Sequence, residues 1–182
     1  MAGKKFLSTD KIVALTAMFI GVLTLIIFIR QTNIMDTQGR LSVMPYLLLE
    51  TSNNGENRTF SIDFVNHGVG PAIVVSRKIY YQGKTYDMEF HDFLKSQIKE
   101  MDSIHIMNHT TVQPGFALIS GGSRNILRAG GDNYSYFAFL KVMQELDKND
   151  FEYELIYNSI YDDKWVVKAS TNEPEQIHQP TN

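Results

Sequence analysis

Residues 12–29 read IVALTAMFIGVLTLIIFI, an uninterrupted apolar run bounded by Ile12 and Ile29 that contains no charged side chain. At about 1.5 Å of rise per residue it would make roughly 27 Å of helix, close to a hydrocarbon core about 30 Å thick. Lys11 and Arg30 bracket the run, and their stems are long enough to lift the charges to the two interfaces. A soluble core helix of this length would show a polar face, and this one has none. The run also exceeds the roughly 7–15 apolar residues of a cleaved leader. Arg30-Gln31-Thr32-Asn33 follows it in place of a small-x-small cleavage pattern. The pattern therefore predicts a cytoplasmic N-terminus over residues 1–11, an uncleaved transmembrane helix over 12–30, and a linker or fraying helical extension over 31–40.

After residue 40 the periodicity changes. Residues 41–51 are largely apolar with Pro45 inside, which predicts an edge or bulged strand. Ser52-Asn53-Asn54-Gly55 is a turn cluster. Over 59–65, Phe60, Ile62 and Phe64 alternate with Ser61 and Asp63, the period of a half-buried strand. Asn66, Gly68, Gly70 and Pro71 then form a structural turn before a strand over 73–81. Gln82-Gly83 turns the chain into a partner strand over 84–90. Phe90, Leu94, Ile98 and Met101 step by four, four and three, one face of a short helix.

Strands are expected over 103–107 and 116–120, with loops at Gly121-Gly122-Ser123 and Gly130-Gly131-Asp132. Phe139, Val142, Met143 and Leu146 predict a second amphipathic helix, with strand an alternative over 134–139. Phe151, Tyr153, Leu155 and Tyr157 alternate with Glu152 and Glu154 in the clearest strand. Asp162-Asp163-Lys164 turns the chain into a last strand over 165–169. The polar residues 171–182 read as a disordered tail. Many short strands around one or two short helices predict a mainly β fold, an immunoglobulin-like β-sandwich over 41–170. No Cys–Trp–Cys framework accompanies it, since cysteine is absent.

Charge sharpens this picture. The net charge of −3 conceals five basic and two acidic residues in 1–40, against twelve and eighteen in the rest. An acidic domain suits neither nucleic-acid phosphates nor an anionic lipid surface, so nucleic acid is not an expected partner. Lys4, Lys5 and Lys11 precede the apolar run, while Arg30 and Arg40 follow it. The positive-inside rule then places the N-terminus in the cytoplasm and the domain in the periplasm or outside the cell. Within the anchor Ala14, Ala17, Gly21 and Thr24 share a face, the spacing that lets two helices approach.

Candidate chemistry is sparse. Without cysteine there is no disulfide, thiolate nucleophile or cysteine-based metal site. His105 and His109 are four apart, but their surroundings read as strand and turn, which would not converge two rings on an ion. There is no nucleophile elbow, P-loop or His-Glu-x-x-His motif. Gly121-Gly122-Ser123-Arg124 lacks the following helix that an anion cradle would launch. The acidic pairs Glu152/Glu154 and Asp162/Asp163 read as solvated charge. No catalytic residue, metal or cofactor is expected. Tyr80, Tyr81, Tyr86, Tyr157, Tyr161 and Trp165 fall on or beside strands and read as either core or an aromatic binding surface.

The runs FVNHGVGPAIVVSRKIYY (64–81), TVQPGFAL (111–118) and YELIYNSIYDDKWVVKAS (153–170) resemble poorly characterised bacterial envelope proteins in which one spanning helix carries a β-sandwich. The resemblance covers residues 12–169 and rests on structural motifs. Asp162-Asp163 stands where such proteins often have glycine in the last hairpin. The anchor, the sandwich and the missing catalytic set together point to a non-enzymatic inner-membrane protein with a periplasmic or extracellular domain that binds a protein partner as a subunit or sensor of a membrane complex. The alternative is a tethered ligand- or glycan-binding module. The lipid bilayer itself and a second copy of the chain, joined through the helix or the sandwich, complete the expected partners.

Overall fold

The computed structural model describes residues 8–177. Lys4 and Lys5, on which the orientation argument leans, lie outside them. Two units emerge, one ending at Ser42 and one running from Val43.

The first unit is a single helix, α1 (Thr9–Leu41), with no buried residue. It is long and apolar enough to cross a membrane. Its few polar side chains explain how it can be so apolar along its length. The hydroxyls of Thr16 and Thr24 donate to the carbonyls of Ile12 and Ile20 at 2.9 and 2.8 Å, so neither presents an unpaired donor to its surroundings. Of the two readings of residues 31–40, linker or helical extension, the structure takes the helix. Thr32 and Thr37 repeat the same back-bond, and Asp36 pairs with Arg40 at 3.1 Å one turn on. Those local bonds carry the helix through polar sequence that composition alone reads as loop.

The second unit holds two antiparallel sheets stacked face to face, a sandwich-like arrangement with helices at one side. The first comprises β1 (Leu47–Asn54), β2 (Thr59–Asn66), β7 (Ser123–Gly130) and β5 (Ile106–His109) in the order β1-β2-β7-β5. The second has the order β10-β9-β8-β3-β4, from β3 (Ala72–Tyr81), β4 (Lys84–Tyr86), β8 (Glu152–Asn158), β9 (Lys164–Lys168) and β10 (Glu175–Ile177). A short β6 (Ala117–Leu118) pairs with the start of β3. Helices α2 (Phe90–Gln97) and α3 (Asn133–Lys148) flank the sheets, and a 3-10 turn spans Lys99–Ser103.

The core fills from both sheets and both helices. Phe64 of β2 meets Tyr153 of β8 with ring centres 5.7 Å apart, and Phe60 meets Phe139 of α3 at 5.6 Å. Phe90 and Leu94 of α2 are buried, as the steps from Phe90 predict, and Phe93 is buried with them; the helix ends at Gln97, so Ile98 and Met101 are buried from the segment that follows it. Gln82 and Gly83 both take positive φ, 49° and 74°, the geometry that closes a two-residue hairpin between β3 and β4.

Several boundaries move. β1 begins after Pro45 and absorbs Ser52, Asn53 and Asn54, because the β1–β2 turn is made further on by 55–58, with Arg58 at φ 51°. The strand over 84–90 stops at Tyr86, and the remaining residues lead into α2. The strand expected over 103–107 starts at Ile106, its first residue being taken by the 3-10 turn. Residues 134–139 are helical, capped by Asp132, whose carboxylate accepts the Ser135 amide at 2.8 Å. In place of a wholly disordered tail, Glu175–Ile177 pairs with Val166, Trp165 and Lys164 of β9. Between the expected loops at 121–123 and 130–132 lies β7, an inner strand of its sheet.

Candidate functional site

Four regions of the domain carry polar or concave features. The most organised is a cavity at the side where the two sheets part. β1 and β2 contribute Leu49, Thr51 and Ile62, β7 gives Ile126, and α2 gives Phe90. Met143, Leu146 and Asp147 of α3, Phe151, Tyr153 and the turn after β9 (Ala169, Ser170, Asn172) complete the wall. Its volume is about 320 Å³, enough for an amino-acid side chain or a small organic ligand. Apolar and aromatic groups dominate it, with the exposed Asp147 the only ionisable side chain besides the Tyr153 phenol.

One rim of this cavity is the outer edge of β1. Leu47 and Leu49 turn their amides away from β2: the first donates to the Tyr157 hydroxyl at 3.3 Å and the second to Asn172 Oδ1 at 2.8 Å. The pairing of β1 with β2 alternates, so Thr51 and Asn53 also face outward. Among the described residues their outward backbone groups have no partner.

Beside the cavity, inside the sandwich, Arg77 and Glu89 form an ion pair, Nη2 to Oε1, at 3.2 Å, with side chains only 11% and 13% exposed. The second carboxylate oxygen accepts the Val112 amide at 3.1 Å. Arg77 faces inward because β3 carries a bulge between Val74 and Ser76, which reverses the alternation of the strand. Without it, Ser76 would point to the core. The Tyr153 hydroxyl lies near this pair, has no hydrogen-bond partner among the described residues, and is pushed well up by burial and by the Glu89 carboxylate. Tyr157 is likewise raised by burial, to about 12. Neither phenol is poised to act as a base near neutrality.

A third region joins α2 to β5. The rings of His91 and His109 stack in parallel, 3.9 Å apart at 4°. Burial holds the His91 imidazole below its usual value, opposed by a hydrogen bond to Asp92. His105 is turned elsewhere, its Nδ1 against the Gly130 carbonyl at 3.0 Å. The pair at 105 and 109 therefore does not converge. No three His, Asp or Glu side chains among the described residues are placed to hold a metal ion.

The fourth region is the turn after β2. Asn66 is fully buried, and its amide nitrogen donates to the carbonyls of Gly70 and Leu118 at 2.8 and 3.0 Å. Its side-chain oxygen accepts from the amides of Tyr46 and Gly68 at 3.1 and 3.0 Å. One side chain so ties the first residues of the domain to two loops. A Cβ on Gly70 would sit 1.8 Å from the Val43 carbonyl oxygen, so the first residues of the domain lie directly over a glycine that leaves them room. Pro71 leads into β3 at Ala72.

The remaining predicted positions resolve as follows. Lys11, Ile12, Ile29 and Arg30 lie on α1, as do Ala14, Ala17, Gly21 and Thr24, and a Cβ added at Gly21 would meet nothing within 4 Å beyond the helix's own backbone. The amides of Gly121 and Gly122 are occupied by Asn66 and Ile119 carbonyls, and Arg124 lies over the Phe116 ring at 4.9 Å and donates to the Thr111 carbonyl. No anion cradle is left. Glu152 is bound by Ser170, Glu154 accepts the Tyr80 hydroxyl, and Asp162 and Asp163 bond within their turn. Of the aromatics, Tyr81 and Tyr157 are core, while Tyr161 is 45% exposed. The sequence reasoning missed the cavity, the open edge of β1 and the Arg77–Glu89 pair. The cavity and the open edge depend on chain segments far apart in sequence, and the ion pair on the β3 bulge that turns Arg77 inward.

No family model matches the chain, and comparison with curated proteins and with solved structures likewise finds no match.

Proposed function

We propose that this chain is a single-pass envelope protein, N-terminus in the cytoplasm, whose extracytoplasmic domain is an immunoglobulin-like sandwich that binds a protein partner and performs no chemistry of its own. The anchor reading rests on α1, whose charge-free stretch from Ile12 to Ile29 is close in length to the thickness of a bilayer core and has no buried residue. The topology rests on the basic residues before the apolar run. Binding without chemistry is supported above all by the cavity. Its wall is apolar, its single carboxylate faces solvent, and its one phenol is held protonated. Such a wall recognises side chains and activates nothing.

The test is purification of the full chain from membranes in several mild detergents, with and without cross-linking in place. A stoichiometric protein companion is expected. A chain that elutes alone under every condition refutes the reading. Reporter fusions at each terminus test the topology, and a signal from a cytoplasmic reporter at the C-terminus would invert it.

A second reading, a tethered ligand-binding module, is favoured by the aromatic side of the same cavity, where Phe90, Phe151 and Tyr153 meet. A small apolar ligand retained through purification would support it over a protein partner.

A further inference from the structure

Taking the domain to be a receptor for a protein, we propose that it receives an extended segment of that protein as an added strand on the outer edge of β1, at Thr51 and Asn53, with one apolar side chain of the segment entering the adjoining cavity and a basic one meeting Asp147. The edge supplies the first part. An edge strand with unpaired amides and carbonyls is a template for another chain, and proteins normally cover or blunt it. Here the protein covers only half. Tyr157 and Asn172 satisfy Leu47 and Leu49, and the protection ends there. Among the described residues Thr51 and Asn53 are left with their outward groups free; no proline guards them, and the one charged side chain of the strand, Glu50 beside Thr51, is engaged by His67 at 2.6 Å.

The cavity supplies the second part. Side chains of β1 alternate, and the odd-numbered ones face inward: Leu49 and Thr51 line the cavity, and Asn53 accepts the Tyr136 hydroxyl at 2.6 Å. A strand laid beside β1 shares that alternation. Its residue opposite Thr51 would therefore point between the sheets, over Ile62, Met143 and Phe151. Main-chain bonds provide affinity in this mode of recognition, and the pocket for one side chain provides choice.

Charge supplies the third. Asp147 stands at the cavity mouth and makes no ion pair among the described residues. The next inward position on the segment, two residues along, is thus best filled by Lys or Arg. The described C-terminal strand of the chain itself is committed elsewhere, to β9.

The experiment uses the full chain in detergent micelles and a phage-displayed library of random peptides about nine residues long, enough for one strand. Recovered peptides are expected to share an apolar residue with Lys or Arg two positions away. Synthetic copies should bind Asp147→Lys protein at least about tenfold more weakly, a loss of about 1.4 kcal/mol. N-methylating the alternate amides that face β1 should abolish binding, while methylating the intervening set should leave it within about twofold. Thr51→Pro removes one outward donor at an edge position that tolerates proline, and should weaken binding as strongly; Trp165 fluorescence checks that the variant is folded.

Recovery of no peptide overturns the proposal. So does equal binding to wild type and both variants, or equal sensitivity to the two methylation sets. Dimers of the chain that Thr51→Pro dissolves would show that a second copy occupies the edge, and would overturn it too. A companion protein that co-purifies undiminished with Thr51→Pro and Asp147→Lys rejects strand addition while leaving the partner-binding reading intact.

Discussion

The Arg77–Glu89 pair allows a quantitative test of how the sandwich is held. Both groups are about nine-tenths hidden, 3.2 Å apart, and the Val112 amide holds the far side of the carboxylate. Removing one partner strands the other charge in the interior, which costs about 3–5 kcal/mol. Arg77→Met keeps the apolar stem and should cost about 3 kcal/mol, most of it from the orphaned Glu89 carboxylate. Glu89→Leu should cost a similar amount, adding the loss of an acceptor for Val112, about 1–2 kcal/mol. The double variant removes both charges together, and only the Val112 amide remains unsatisfied. Its cost should fall at least about 2 kcal/mol short of the sum of the singles. Urea unfolding of the full chain in micelles, followed by the fluorescence of Trp165, reports on the domain alone because that tryptophan is the only one and lies on β9. Strictly additive effects, or a single variant costing under about 1 kcal/mol, would show the two charges to be solvated and independent.

Three further outcomes follow from the turn and the histidines. Asn66→Asp keeps the shape but sets a carboxylate against the Gly70 and Leu118 carbonyls, and should cost about 3 kcal/mol or more, read in the same urea assay. Gly70→Ala drives a methyl into the Val43 carbonyl and should cost about 2–3 kcal/mol, while Gly83→Ala, with open space around it, loses only the turn's backbone preference. His91 has a depressed pKa when folded, so the unfolded chain takes up the proton first: stability is full above about 6.5 and is lost as pH falls from there through the lower folded value. The nearby charges of His109 and Lys95 push the His91 pKa the same way as burial and Asp92 opposes them, and His91→Gln should flatten the slope of stability against pH below about 6.5. An unchanged slope would show that the stacked ring is not the group responsible.

How far the sequence foretold this structure varied with periodicity. The apolar N-terminal helix, the strand at 59–66 and the strand at 152–158 carry unbroken patterns of charge-free length or strict alternation, and each was legible as an element. β7 was not, because in Ser123–Gly130 both Ile126 and Leu127 are buried: a bulge opposite Ile62 and Asp63 breaks the period of two. The bulge in β3 hid Arg77 in the same way, by turning toward the core a residue that alternation assigns to solvent. The helical continuation past Arg30 depends on threonine back-bonds and one i,i+4 ion pair, which loop-like composition conceals. The cavity could not be read at all, since its wall joins residues 49 and 172.

That same distance shapes how the domain comes into being. β2 waits for a neighbour that begins at residue 123, β3 for one that begins at 152, and Leu49 for Asn172. A ribosome has therefore passed residue 130 before the first sheet is complete, and nearly the whole chain before the second is. Ordering so many distant segments at once is slow, and the first strands spend that interval with bare edges. Under the topology proposed above, the domain would emerge on the far side of a membrane, where chaperones of the cytosol cannot reach it. Its yield in the cell should then depend on whatever shields newly exported strands, more steeply than its equilibrium stability would suggest.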